Sequence, residues 1–238
     1  MFSSRAKNSW TCRLYVRERW VKSRTALVNQ IRGLLLERGI TIRKGRRHAE
    51  AALPMLIEDA ESNLSGPLRL LLTQLMSELR RLECQITEID ATIPSGADEQ
   101  EACKRLMTIP GIGPLTATAI VSAIGNGAEF PKARSFSAWL GLVPGEYSTG
   151  GKQKLLGISK RGNGYLRKLL VHGARAILQR RQKQSSGLGA WLEQLVARAH
   201  PNIATIALAN KMARMAWALL IRGETYRPPL LTQQVVVV

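Results

Sequence analysis

A chain of 238 residues with 45% hydrophobic side chains can bury one substantial core or two smaller ones, which excludes disorder throughout. Its 35 Lys and Arg against 17 Asp and Glu give a formal net charge of +18, more than solubility requires, and point to a polyanionic partner. That partner is not expected to be a membrane: there is no run of about 18 apolar residues, and Met1–Trp10 lacks the apolar stretch of a signal peptide.

The charge is unevenly placed. Residues 1–101 hold 16 basic and 13 acidic side chains, a net of +3, whereas residues 102–238 hold 19 and 4, a net of +15. The second half is therefore where a polyanion would bind, and a cytoplasmic protein is the simplest expectation. Cys12, Cys84 and Cys103 are odd in number and widely spaced, so they read as reduced thiols rather than a disulfide framework or a zinc site. His48, His172 and His200 are too scattered to propose a metal cluster.

In chain order, Val16, Trp20, Leu27, Ile31 and Leu34 step by three, four or seven, the stripe of an amphipathic helix that Gly39 would stop. Thr41–Glu50, with its Arg43-Lys44-Gly45-Arg46-Arg47 run and Pro54 beyond, reads as a loop or turn. Leu68, Leu72, Leu75, Leu79, Leu82, Ile86, Ile89 and Ile93 then alternate spacings of four and three, an a/d heptad pattern. A coiled coil is expected, paired with the first helix as a hairpin or with another subunit; one helix of an ordinary bundle would show the same pattern. Pro94-Ser95-Gly96 is read as its end and as a domain boundary, giving an atypical segment 1–13, an assembly region 14–93, a helical domain 94–227 and a tail 228–238.

Beyond the boundary, helical patterns cover about 98–107, 114–125, 132–140, 163–182, 188–199 and 202–222, the last rich in alanine. Only Leu155–Ser159 suggests a short strand, so the fold class is mainly α: a long helical hairpin followed by a compact helical domain with a helix-hairpin-helix element.

Three motifs carry the charge and the candidate chemistry. In Ile109-Pro110-Gly111-Ile112-Gly113-Pro114, the glycines permit a tight turn and leave backbone N–H groups bare before a helix N-terminus. Gly111 and Gly113 could thus hold a phosphate, or serve only as a turn between packed helices. In Tyr147-Ser148-Thr149-Gly150-Gly151-Lys152, a hydroxyl pair sits on adaptable backbone beside Lys152 and Lys154, cations able to hold an oxyanion. Read from the residues alone, such a stretch is usually an ordinary loop. Ile158-Ser159-Lys160-Arg161-Gly162-Asn163 then leads into a helix with Arg167, Lys168, Arg175, Arg180 and Arg181, a basic face for phosphate or merely for solvent.

Residues 102–238 contain only Glu129, Glu146, Glu193 and Glu224 as acids, with no grouping suited to two-metal phosphoryl transfer. The acids of residues 78–101 follow the surface positions of the heptad helix.

Together the VRERWVKSRTALVNQIRGLLLERGI segment, the heptad helix, IPGIGPLTATAIVSAIG, FSAWLGLVPGEYSTGGKQKLLGISKRGNGYLRKLLVHGARA and the small-residue C-terminal helix resemble the bridge-recombinase family of insertion-sequence transposases, also called DEDD or Piv/MooV-like. The resemblance runs from about Val16 to Arg222. It implies a RuvC-like domain with four acidic Mg²⁺ ligands, a coiled coil for homo-oligomer assembly, a C-terminal domain with a nucleophilic serine, and a noncoding guide RNA that selects donor and target DNA. Carried onto this sequence, the nucleophile falls at Ser148 or, one residue on, at Thr149; Ser148 is preferred because a threonine hydroxyl is more hindered. Gly111, Gly113, Lys152, Lys154, Lys160, Arg161, Arg167 and Lys168 are the expected nucleic-acid contacts.

One departure from the family pattern is large. The RuvC-like domain is expected ahead of the coiled coil, where Met1–Arg13 is too short for it, so a truncated copy without the Mg²⁺ ligands is expected. The functional expectation is a DNA-cleaving and DNA-joining transposase. The alternative is a noncatalytic DNA- or RNA-binding or assembly fragment that acts with a complete transposase.

Overall fold

The computed structural model describes residues 4–59, 61–149, 152, 154–180 and 187–228. The protein is mainly helical, and contacts divide it into two units at Thr92–Ile93.

In the first unit α1 (Ser4–Leu36) and α3 (Gly66–Asp98) form an antiparallel hairpin. The direction is fixed by two cross-pairs that run oppositely along the helices: Arg17 with Asp90, and Arg24 with Glu83 at 2.8 Å. Between them Leu27, Ile31 and Leu35 of α1 are buried with Leu72, Leu79 and Leu82 of α3. Every heptad position from Leu68 to Ile93 is buried or half-buried, because a repeat of four and three keeps one face of a helix turned to its partner.

Three expectations for this region change. The stripe on α1 holds at Trp20, Leu27, Ile31 and Leu34 but not at its first position: Val16 is 39% exposed, whereas Leu14 is buried. The segment 41–50, read as a loop or turn, is helical from Arg46 on, where it opens α2 (Arg46–Glu58) despite the interior Pro54. Ala49 and Leu53 are fully buried there, and that apolar face outweighs the hydrogen bond the proline removes. Pro94 likewise does not end α3, which continues to Asp98, with Glu99 N–H still donating to Ser95 O at 3.0 Å.

The second unit is built around α9 (Pro201–Arg222), against which α4 (Glu101–Met107), α6 (Ala133–Trp139), α7 (Gly164–Gln179) and α8 (Gly187–Arg198) pack. Ala204, Ala209, Ala213 and Ala216 are fully buried on α9; side chains this small let several helices approach one axis closely. The apolar α5 (Pro114–Ile124) completes the core, with Ala117, Ile120 and Thr118 buried.

Two short antiparallel strands, β1 (Pro144–Glu146) and β2 (Leu155–Ile158), pair Pro144 with Ile158 and Glu146 with Leu155. The register slips between the two pairs, leaving one extra residue on β2, a bulge that bends the hairpin. Among the described residues no helix is long and apolar enough to cross a membrane.

Candidate functional site

The hydroxyl motif projects from the second unit on the β1–β2 hairpin. Tyr147 N–H donates to Lys154 O at 2.9 Å, and Lys152 N–H to Thr149 O at 3.1 Å, so the ladder continues past both strands to the tip. Gly150 and Gly151 lie outside the described residues. Side chains two apart on extended chain share a face, and here that period joins Ser148 to Glu146. Ser148 Oγ donates to Glu146 Oε1 at 2.5 Å and accepts from Lys154 N–H at 3.3 Å.

Both side chains are exposed, as are Thr149, Lys152 and Lys154. The serine hydroxyl therefore points its proton at a carboxylate and keeps a lone pair accessible from solvent. That arrangement suits a hydroxyl meant to lose its proton while attacking an electrophile. Thr149 enters the ladder through its carbonyl, and the Glu146 carboxylate pairs with Ser148. Sequence reasoning missed Glu146; its position two residues before Ser148 was the available signal.

The hairpin base is held by main-chain contacts. Leu142 N–H donates to Ser137 O at 3.1 Å, and Ser159 N–H to Val143 O at 2.9 Å. Asn210 of α9 donates its side-chain amide to Leu142 O at 3.0 Å. The basic turn from Lys160 to Asn163 lies against 139–141: Lys160 N–H reaches Gly141 O at 3.2 Å and Asn163 N–H reaches Trp139 O at 3.3 Å. Only glycine fits at two points of this contact. A Cβ on Gly141 (φ +68) would sit 2.2 Å from Arg161 O, and one on Gly162 (φ +85) 1.9 Å from Trp139 O.

Of the expected nucleic-acid contacts, the fold thus brings Lys152 and Lys154 to the hairpin and Lys160 and Arg161, both exposed, to the turn at its base. Arg167 faces inward at that turn. Its Nη1 donates to Leu140 O at 2.8 Å and to Arg161 O at 3.3 Å, so this cation also clamps the turn to α6. Lys168 lies over the Tyr165 ring at 5.5 Å. Arg181 lies outside the described residues.

The glycine turn between α4 and α5 sits elsewhere on the unit. A Cβ on Gly111 (φ +80) would lie 2.6 Å from Ile177 Cδ1 of α7, and one on Gly173 2.1 Å from Gly111 O. Close packing against α7 accounts for Gly111 by itself. Gly113, by contrast, is exposed at the N-terminus of α5 with open space around it, where backbone N–H groups face outward.

The buried Cys103 is held as a thiol, its pKa pushed up to about 11 by burial, and is unsuited to be a nucleophile. Among the described residues no three His, Cys, Asp or Glu side chains gather as metal ligands, and Glu146 alone is no divalent site. The described residues therefore do not fit the Mg²⁺ site that the resemblance implies.

Comparison with known proteins adds to this geometry. Residues 103–188, which enclose the glycine turn, the hydroxyl hairpin and α7, match the family described as Transposase IS116/IS110/IS902. Over 214 residues the chain is 42% identical to the transposase for insertion sequence element IS1111A of Coxiella burnetii, covering 90% of this chain and 59% of that protein. Over 212 residues it is 40% identical to the transposase for insertion sequence element IS1328 of Yersinia enterocolitica, covering 89% and 62%. The chain spans less than two thirds of the length of either relative.

Proposed function

We propose, from the match of residues 103–188 to the family described as Transposase IS116/IS110/IS902, that the chain is a member of that family and that its second unit binds insertion-element DNA with Ser148 as the attacking hydroxyl. The observation that carries this reading is the 2.5 Å bond from Ser148 Oγ to Glu146 Oε1 on an exposed hairpin beside Lys152 and Lys154. As Ser148 Oγ forms its bond to phosphorus, its proton passes to the Glu146 carboxylate. The bond from phosphorus to one deoxyribose oxygen breaks, and that oxygen leaves as a hydroxyl, taking its proton from solvent. The phosphoserine linkage keeps the phosphodiester's energy, so attack by a second strand's hydroxyl reverses the chemistry and joins new DNA. Lys152, Lys154, Lys160 and Arg161 hold strand phosphates, and the α1–α3 hairpin serves assembly into a homo-oligomer. A noncoding RNA guide, as the resemblance implies, would share the same basic surface.

The test uses the full chain and end-labelled DNA carrying an insertion-element end, with covalent adducts resolved under denaturing conditions and divalent ions varied. An adduct that Ser148→Ala abolishes and Thr149→Ala retains is the expected result. An adduct surviving Ser148→Ala overturns the assignment.

A second reading is a noncatalytic DNA-binding or assembly protein acting with a complete transposase, for which the exposed cations Lys152, Lys154, Lys160 and Arg161 suffice. DNA binding with steep salt dependence and no adduct under any metal condition supports it.

A further inference from the structure

A groove of about 840 Å³ opens beside the base of the hydroxyl hairpin. Val143, Pro144, Leu156 and Ile158 line it from the hairpin, Trp191 from α8, and Ile203 and Ile206 from α9. Two of these apolar residues stand well out of the core: Leu156 is 51% exposed and Ile203 61%. Scattered apolar residues on a surface need no explanation, but two around one concave site with a tryptophan mark a place where something docks.

The polar part of the lining indicates what. Arg134 and Arg214 both face the groove, and none of the described lining residues is acidic. Asn202 and Asn210 add amide groups, that of Asn210 already engaged with Leu142 O. The Trp191 ring is held in place by Lys211, whose Nζ lies 4.3 Å from its centroid. Burial, reinforced by the neighbouring Arg214 charge, holds that ammonium below the ordinary lysine range. An apolar peptide segment would enclose two guanidinium groups with no carboxylate among the described lining residues, which is costly. A planar group with apolar faces, hydrogen-bonding edges and an attached anion matches all of the lining.

We propose that this groove takes an unpaired nucleobase of a DNA strand, its faces against Trp191, Leu156 and Ile203 and its flanking phosphate on Arg134 and Arg214. Bases in a duplex are stacked and cannot enter a concave site, whereas a splayed base can. Val143 and Pro144 run directly into Glu146 and Ser148, so a base seated here sets which phosphate of its strand meets the hydroxyl hairpin. The inference rests on the DNA-binding reading of the second unit and not on Ser148 being the nucleophile.

The experiment measures the affinity of the full chain for a short labelled unpaired DNA oligonucleotide, for the duplex of the same sequence and for the matching RNA. Trp191→Ala is expected to weaken unpaired DNA about tenfold, the scale of one stacked base. Ile203→Asp, at an exposed position that leaves folding intact, should do the same. Duplex binding, carried by phosphates, should stay within about twofold. Arg134→Gln and Arg214→Gln should each lower the salt slope for the unpaired strand by about 0.7.

Unchanged affinity for unpaired DNA in both Trp191→Ala and Ile203→Asp overturns the proposal, and so does an equal loss on the duplex. Loss confined to RNA assigns the groove to an RNA strand and overturns it as stated. A changed oligomeric state in Ile203→Asp with DNA affinity intact makes it a self-association surface and also overturns it. If the wild-type chain binds no form of DNA, the underlying DNA-binding reading fails, an outcome distinct from intact duplex binding with indifferent groove variants.

Discussion

The two units are both helical, yet they are held together by different kinds of contact. In the first, Ile31 and Leu35 meet Leu72 and Leu79 across the α1–α3 hairpin, and the cross-pairs of Arg17 and Arg24 with Asp90 and Glu83 flank that seam. These contacts are made by side chains, which can relax when a neighbour changes. In the second, the decisive approaches are main chain to main chain: Gly111 on Gly173, Gly141 on Arg161 and Gly162 on Trp139. No rotamer moves a Cβ, so such contacts admit one residue type. The basic turn at the base of the hydroxyl hairpin is thereby pinned by the backbone.

The comparison breaks most visibly at Gly162. A side chain there meets both a positive φ and the Trp139 carbonyl, so Gly162→Val should destabilise the second unit by about 3–5 kcal/mol, in the range reserved for such named defects. Two unfolding transitions in denaturant, with only the second unit's moved to lower concentration, are the expected result. Gly113→Ala, with open space at its Cβ and φ of −95°, should cost no more than about 1 kcal/mol. In the first unit the corresponding experiment is Leu79→Ala, a fully buried seam position, for which about 3 kcal/mol is expected. A second-unit transition that moves with Leu79→Ala would show that the units are not energetically independent.

The same difference explains how much could be read from sequence. The heptad of α3 was legible because a side-chain seam writes its period into the residues. On α1 the stripe was legible from Trp20 to Leu34 and failed only at Val16, because a straight 3.6-residue helix drifts off a seam over 33 residues. α2 was hidden behind Pro54 and a basic run, signals of a turn that burial of Ala49 and Leu53 overrides.

At the candidate site the hydroxyl pair and the basic turn were legible as motifs. β2 was close to the expected Leu155–Ser159, but β1 contains Pro144 and Gly145, residues that argue against a strand. The spacing of Glu146 two residues before Ser148 was there to be read, but it places both on one face only once β1 is known to be extended. The groove at Trp191 was beyond reach, because its walls come from the hairpin, α8 and α9, and no local period spans such separations.

Smaller effects sharpen the contrast at the surface of the first unit. Glu83 pairs with Arg24 at 2.8 Å and also with Arg46, all three partly exposed. Arg24→Ala should therefore cost only about 0.2–1 kcal/mol, and less at high salt. A reversed pair, Arg24→Glu with Glu83→Arg, should recover part of that loss in a double-mutant cycle.

The finest probe is thiol chemistry, because Cys84 in the first unit and Cys103 in the second each report on their surroundings. Cys84 is exposed on α3 and donates to Glu88 Oε1 at 3.3 Å; that bond and the carboxylate's charge both hold its pKa above the ordinary thiol value. Glu88→Gln should speed its alkylation at mildly alkaline pH, because it removes the carboxylate charge that disfavours the thiolate. Cys103 is buried and should not react until the second unit opens. Its folded pKa of about 11 exceeds the ordinary 9.0, so its contribution to stability is complete below pH 9 and is lost as pH rises towards 11. Alkylation of Cys103 in Gly162→Val but not in Leu79→Ala would assign each defect to its own unit. Reaction in both would mean that the side-chain seam and the glycine contacts open together.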